Sequence, residues 1–264
     1  MTEINGFDNE FEFVKYLNGK RVGELNPMFR EVIDTIFYCI NDDDVIKCWR
    51  NHYPQKSDIF IKIRNFIKGI SIKMSSRNSV HIDCISEFIH FLIENEVPRD
   101  IIIKYLKYHY ADGTTNGRSK IRISAEEYKK THQDHIDEIN KYFNNEDLLI
   151  KAIDRFIIKG NNSKYYINAL VHGTINDFLW LTKDEIIRII LSKKDIYSSA
   201  VHFGPLICQP KNRCLNYNPL YEKDRFSVQI KWYSLNDDII EQMNNKVIEK
   251  KELNEKLDEF LNGE

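Results

Sequence analysis

Two short runs of alternating side chains, Asp58-Ile-Phe-Ile-Lys-Ile63 and Gly69-Ile-Ser-Ile-Lys-Met74, flank a polar turn at Arg64-Asn65. An apolar/polar period of two is the pattern of a β-strand, whose successive side chains point to opposite faces. The short polar turn makes the two runs neighbours. In the second run Ser71 and Lys73 share one face, while Ile70, Ile72 and Met74 share the other. Asp58 heads the first. An acid and a lysine delivered to one spot by adjacent strands suit metal-assisted phosphodiester chemistry. The carboxylate can hold a hard divalent cation through oxygen. The lysine can orient or help deprotonate an attacking water and offset charge on a phosphate.

With twelve residues between Asp58 and Ser71, the segment resembles the core motif of the PD-(D/E)xK nuclease superfamily, which contains most type II restriction endonucleases. The resemblance covers residues 5–96 best. Asp58 matches the first acid and Lys73 the lysine, while Ser71 fills the slot usually held by Asp or Glu. It implies an α/β fold: a restriction-endonuclease-like core, a mixed β-sheet flanked by helices, with further helical and β elements in the C-terminal half. It also implies Mg²⁺-dependent hydrolysis of double-stranded DNA (Mn²⁺ substituting) by a bacterial cytoplasmic type II restriction enzyme. Such an enzyme is expected to be a homodimer with a cognate methyltransferase encoded nearby. Three alternatives stay open. One is a structure-specific repair or recombination nuclease of the same superfamily. Another, favoured by Ser71, is a DNA-binding protein that has lost catalysis. The third is an ordinary strand pair in which Asp58 caps and Lys73 is a solvated edge lysine.

With Ser71 in that slot, either a second carboxylate comes from elsewhere or the site holds one ion. Residues 6–18 read as a first helix with Phe13, Val14 and Leu17 as its apolar stripe, and Glu10 and Glu12 both lie on it. The resemblance places a glutamate on such a helix beside the metal. Glu12, just before Phe13-Val14, is favoured over Glu10, with a plain surface glutamate as the alternative. Asp83 or Glu87, on a helix expected over 82–95, are the other candidates, with Ser79 and His81 behind them. Residues 26–49 read as two helices, the second capped by the acidic run Asn41-Asp42-Asp43-Asp44.

Net charge is only −2, so its distribution matters more than its total. Residues 50–77 hold seven basic side chains against one acid, Asp58. A basic neighbourhood around a lone acid suits phosphate handling. DNA contacts are expected from Arg77 and Asn78 after the lysine strand, and from Arg118 and Lys120 in a polar loop. Lys211, Asn212 and Arg213 follow in a Pro/Asn-rich loop over 209–218, whose residue types suit base edges and phosphates. Asp224 followed by Gln229-x-Lys231 imitates the motif, but only four residues separate Asp224 from Gln229. That is too few for the usual hairpin, so Gln229 and Lys231 are read as a core-sheet or DNA-facing strand.

The rest of the chain is less specific. Residues 98–110 and 126–159 read as helices, the latter broken near Asn144-Asn145; 165–171 reads as a strand, and 182–192 as a helix with Thr182 and Glu185 in a capping box. Strand-like runs lie near 200–206 and 225–233, and an acidic amphipathic helix closes the sequence. The expected division is a nuclease core at 1–124 and a helical and β region at 125–264 that completes the fold and contacts DNA, or one compact domain. No apolar run approaches a membrane span, and five cysteines without a CxxC pair point to reduced thiols. His202, Cys208 and Cys214 match no standard zinc spacing, and His132 and His135 lack a third ligand.

Overall fold

A computed structural model describes residues 6–53, 55–74, 78–119, 122–161, 165–212 and 219–262. In chain order the strands are β1 (Ile46–Arg50), β2 (Ile59–Ile63), β3 (Phe66–Lys73), β4 (Ser79–Cys84), β5 (Ile167–Thr174), β6 (Asp177–Thr182), β7 (His202–Phe203), β8 (Leu206–Pro210) and β9 (Ser227–Trp232). The helices are α1 (Gly6–Leu17), α2 (Pro27–Ile36), α3 (Ile85–Glu94), α4 (Arg99–Tyr110), α5 (Ala125–Thr131), α6 (Gln133–Phe143), α7 (Glu146–Ile153), α8 (Lys183–Ser192) and α9 (Leu235–Asn262). They form two compact units, each assembled from separate stretches of sequence. The first is Met1–Arg77, Asn162–Ile186 and Ser234–Glu264, and the second Asn78–Asn161 and Ile187–Tyr233. The boundary expected at 124 therefore falls inside the second unit. A linear cut cannot describe a chain that leaves its first sheet after β3 and returns to it at β5.

The first unit is built on a mixed five-stranded sheet in the order β1-β2-β3-β5-β6. Strands β1, β2 and β3 form an antiparallel meander, β3 and β5 run parallel, and β6 is antiparallel to β5. One core cluster joins Phe13 and Leu17 of α1 and Phe29 and Ile33 of α2 to Ile61, Ile70, Ile72 and Val171 of the sheet. Burying side chains of this size stabilises by roughly 1.5–3 kcal/mol each. The α2 start is set by Asn26, whose Oδ1 accepts the Phe29 N–H at 2.8 Å, with Pro27 following in the first turn.

The second helix expected within 26–49 is strand β1. Ile46 and Cys48 are buried while Lys47 and Trp49 are exposed, a period of two that outweighs the helical reading. The acidic run before it caps no helix. Asp42, Asp43 and Asp44 pair instead with Arg30, Arg21 and Arg64. Strand β6 adds an element that the sequence pattern did not suggest. The capping box at α8 is present, with Glu185 Oε2 accepting from the Thr182 N–H at 2.7 Å and Thr182 Oγ1 accepting from the Glu185 N–H at 3.2 Å. In α9, Leu235 and Ile239 are buried while Val247, Leu253 and Phe260 lie exposed.

The second unit holds a four-stranded antiparallel sheet, β4-β9-β8-β7. Its core is aromatic, with Phe88, Phe91, Phe143, Phe156 and Phe203 in mutual contact and Phe143 stacked on Phe203 at 4.3 Å. The helix expected over 82–95 begins only at Ile85. Residues 79–84 pair with β9 and are strand, a long-range partnership that local periodicity cannot reveal. The helices over 125–153 break at His132 as well as near Asn144, and a π-helical turn, Asp154–Ile158, follows α7. Gln209 and Pro210 end β8 rather than opening a loop, and residues 213–218 lie outside the described set. Among the described residues no helix is long and apolar enough to cross a membrane.

Candidate active site

Asp58 is seated by the meander itself. It immediately precedes β2, and its backbone N–H donates to the Ile70 carbonyl at 2.8 Å, while its carbonyl accepts the Asn51 N–H at 2.9 Å. Beside it Ser57 is buried against Gly69. A Cβ at position 69 would come within 2.1 Å of Ser57 Oγ and 2.8 Å of the Tyr166 carbonyl, so only glycine lets these strands close.

With the strand ends fixed, the side chains meet. Asp58 Oδ2 accepts the Ser71 Oγ–H at 3.0 Å and the Ile72 N–H at 2.6 Å, and Lys73 Nζ lies 3.6 Å from the same oxygen. Ser71 is buried, whereas Asp58 and Lys73 keep about a fifth of their side-chain surface open, 21% and 23%. The alternation read from the sequence holds, with Ile70 and Ile72 in the apolar core.

The acid that α1 brings to this group is Glu10. Its Oε2 accepts from Arg50 Nε, at the end of β1, at 3.2 Å. Burial and the negative charge of Asp58 push the Glu10 carboxyl above the usual glutamate range, against the lowering pull of Arg50 and Lys73. Two carboxylates and two cations thus share one electrostatic neighbourhood. Glu12, the favoured glutamate, is placed otherwise: it is exposed and lies 4.0 Å from Lys15 one turn along. The helical phase explains the difference. Glu10 is three residues before Phe13 and seven before Leu17, on the buried side, while Glu12 faces away. Asn9 fixes that phase by donating from Nδ2 to the Gly173 carbonyl of β5 at 2.9 Å. Two residues absent from the sequence reading of the site also belong here. Arg50 is one. His172, the β5 register partner of Lys73, is the other; it is buried, and burial lowers its pKa so that the neutral ring is favoured.

The donor set fits a hard cation. Mg²⁺ is commonly bound through one or two carboxylates with water and substrate phosphate oxygens completing its shell. Asp58 and Glu10 are such a pair, and their mutual repulsion is what a cation would relieve. Ser71 spends its hydroxyl on Asp58. Among the described residues no group of three or more His, Cys, Asp or Glu is arranged to hold a metal, so water and substrate would supply the rest.

The other expected positions that the structure describes belong to the second unit. Asp83 belongs to the second unit, where Arg155 donates to its Oδ2 at 2.8 Å, Asn161 to its Oδ1 at 3.3 Å, and His81 Nε2 lies 3.4 Å away. Glu87 is exposed on α3. Of the residues expected at DNA, Asn78 accepts the Trp232 N–H at its carbonyl, and Arg118 is exposed. Lys211 and Asn212 are bound to Asp224 at 3.0 and 2.7 Å, and Lys231 is half-buried on β9. Arg77, Lys120 and Arg213 lie outside the described residues, as does Cys214. His202 Nδ1 is within 2.8 Å of the Gly204 carbonyl, and Cys208 is fully buried; neither joins a metal group among the described residues.

No protein-family model matches this chain, and no curated protein matches it.

Proposed function

We propose that the chain is a metal-dependent nuclease that hydrolyses phosphodiester bonds of double-stranded DNA, with Mg²⁺ as the cation and Mn²⁺ as a substitute. The observation that carries this reading is the pairing of Asp58, just before β2, with Lys73 of β3, with Glu10 of α1 in their electrostatic neighbourhood. The meander leading to a parallel β5, with helices on the sheet, agrees with the restriction-endonuclease-like core that the Asp58–Lys73 motif implies. A divalent cation, when bound, would supply Lewis-acid chemistry at the phosphate.

The remaining work falls to the chain. Asp58 and Glu10 would hold the cation. Ser71 and the Ile72 N–H fix the Asp58 carboxylate through two hydrogen bonds, so its orientation costs nothing at the moment of reaction. Lys73 positions the attacking water and offsets charge gathering on the phosphate oxygens. Arg50 holds Glu10 in place. The specific form we favour is a homodimeric type II restriction endonuclease of the bacterial cytoplasm, accompanied by a methyltransferase.

The test is cleavage of unmethylated phage and plasmid DNA with Mg²⁺ by the wild type, Asp58→Ala and Lys73→Ala. Discrete fragments from the wild type alone support the reading. Cutting that survives both substitutions overturns it. One observation favours a second reading, a DNA-binding protein without catalysis: Asp58 Oδ2 is already satisfied by Ser71, Ile72 and Lys73, as a purely structural carboxylate would be. No cutting, together with no Asp58-dependent Mg²⁺ or Ca²⁺ binding, selects that one.

A further inference from the structure

The second unit contains a cavity of about 580 Å³, within the range of sites that take small organic ligands. Its floor is one face of the β8/β9 pair. Along these strands Leu206, Cys208, Val228, Ile230 and Trp232 point into the core, and the alternate residues, among them Gln209, Gln229 and Lys231, turn to the other side. Gln209 and Gln229 face each other across the ladder, with Gln209 Nε2 donating to Gln229 Oε1 at 3.2 Å and Gln229 Nε2 to Ser79 Oγ at 3.1 Å. One wall comes from the segment at the start of α5, which contributes Arg122 and Lys129; Tyr108 of α4 supplies an aromatic surface.

Three features define what fits. Among the described residues the lining includes the lysines Lys129 and Lys231, with Arg122 donating to the His109 carbonyl, and no carboxylate. Lys129 Nζ bonds a neutral hydroxyl, Ser199 Oγ, at 3.0 Å, so its charge is not cancelled there. The ligand is therefore an anion. The volume far exceeds an inorganic anion, and the lining offers apolar surface at Tyr108, so the anion carries a sizeable organic body. The paired amides present a donor and an acceptor side by side, the pattern that reads the edge of a nitrogen heterocycle.

We propose that this cavity binds a single nucleotide, its phosphate held by Lys129 and Lys231 and its base edge read by Gln209 and Gln229. The nucleotide comes either free from solution or extruded from a duplex, since the recognition chemistry is the same. The proposal rests on the second unit alone and does not depend on the role given to Asp58.

The experiment is calorimetric titration of the full-length chain with the four 2′-deoxynucleoside 5′-monophosphates in EDTA, where no metal-dependent cutting can intrude. At least one should bind saturably, and inorganic phosphate at least about tenfold more weakly, because it lacks the base. Lys231→Met and Lys129→Met, on different elements and each at a half-buried position, should each weaken binding about tenfold, the effect of losing one charge-assisted contact. Thermal melts confirm that both variants fold. A parallel titration compares a fully paired duplex with one carrying a single unpaired nucleotide. A preference for the second that Lys231→Met abolishes identifies the extruded source; nucleotide binding without that preference identifies the free source. No saturable binding of nucleotide or of the unpaired duplex overturns the proposal, as does affinity unchanged in both variants or phosphate binding as tightly as nucleotide.

Discussion

Two acids in this protein sit among cations, and they have been treated in opposite ways. Asp83 is buried in the second unit and fully engaged, with Arg155 and Asn161 donating to its oxygens and His81 beside it. Burial alone would raise its pKa, but His81 and Arg155 outweigh that and hold it below the usual aspartate range. Glu10, in the first unit, is half-open, and burial with the Asp58 charge holds it above the usual range despite Arg50 and Lys73. An acid whose charge the fold has neutralised is architecture. An acid left short of positive charge, next to another acid, has affinity to spare for a cation. By that measure the Asp58–Glu10 pair is the place to look for chemistry, and Asp83 is not.

The contrast can be broken most directly at Asp58. Replacing it with alanine should cut cleavage by about a thousandfold or more, with the melting transition retained, if the cluster is catalytic. A loss of folding with no specific loss of activity would make it a structural acid like Asp83. Asp83→Ala should do the reverse. It strands Arg155 in a buried site and should cost about 3–5 kcal/mol in urea denaturation, since the partner charge is left uncompensated. The pH dependence has a fixed sign. The Asp83 pKa is depressed in the folded state, so its stabilisation is present above the unfolded value and lost as pH falls through the folded one. Acid titration of stability should be shallower in Asp83→Asn.

Glu10→Gln sharpens the other side of the comparison and should lower activity by about tenfold to a hundredfold. The raised Glu10 pKa means its contribution favours the fold below the ordinary value and is lost as pH rises through the folded one. In EDTA, therefore, the variant should gain stability relative to wild type as pH climbs through that window, and Mg²⁺ should reverse the gain. A pH-independent difference would refute the charge coupling. The smallest effect is expected at Glu12. Exposed and, among the described residues, paired only with Lys15, Glu12→Gln should change stability by less than about 0.5 kcal/mol and leave cleavage unaltered.

How much of this was legible in the sequence depended on the distance over which each feature is decided. The β2–β3 pair was readable because both strands alternate cleanly and their turn is local, so Asp58, Ser71 and Lys73 could be placed together from sequence. The choice between Glu10 and Glu12 turned on helical phase. Counting back from Phe13 and Leu17 selects Glu10, and motif proximity misled. Strand β1 was hidden because five residues with two buried positions support either period. Strand β4 was hidden because its partner, β9, lies far along the chain, and Asp83 was accordingly assigned to a helix. Arg50 and His172 carry no motif at all; only the registers of β1 and β5 bring them in.

The interleaving of the two units carries a consequence for how the protein comes into being. The Gly69 N–H meets Asn168 across 99 residues, and Gln229 meets Ser79 across 150. A chain emerging from the ribosome amino end first can complete neither sheet early. The first must wait for β5 and β6, and the second for β9, near residue 232. Closing such long loops costs little extra free energy, because that cost grows only logarithmically, but it slows the search. Until β5 emerges β3 therefore waits with one edge unpaired, and until β9 emerges β4 waits without its partner. Truncating the gene anywhere before α9 would release a product with at least one sheet unfinished or missing the helix that follows it.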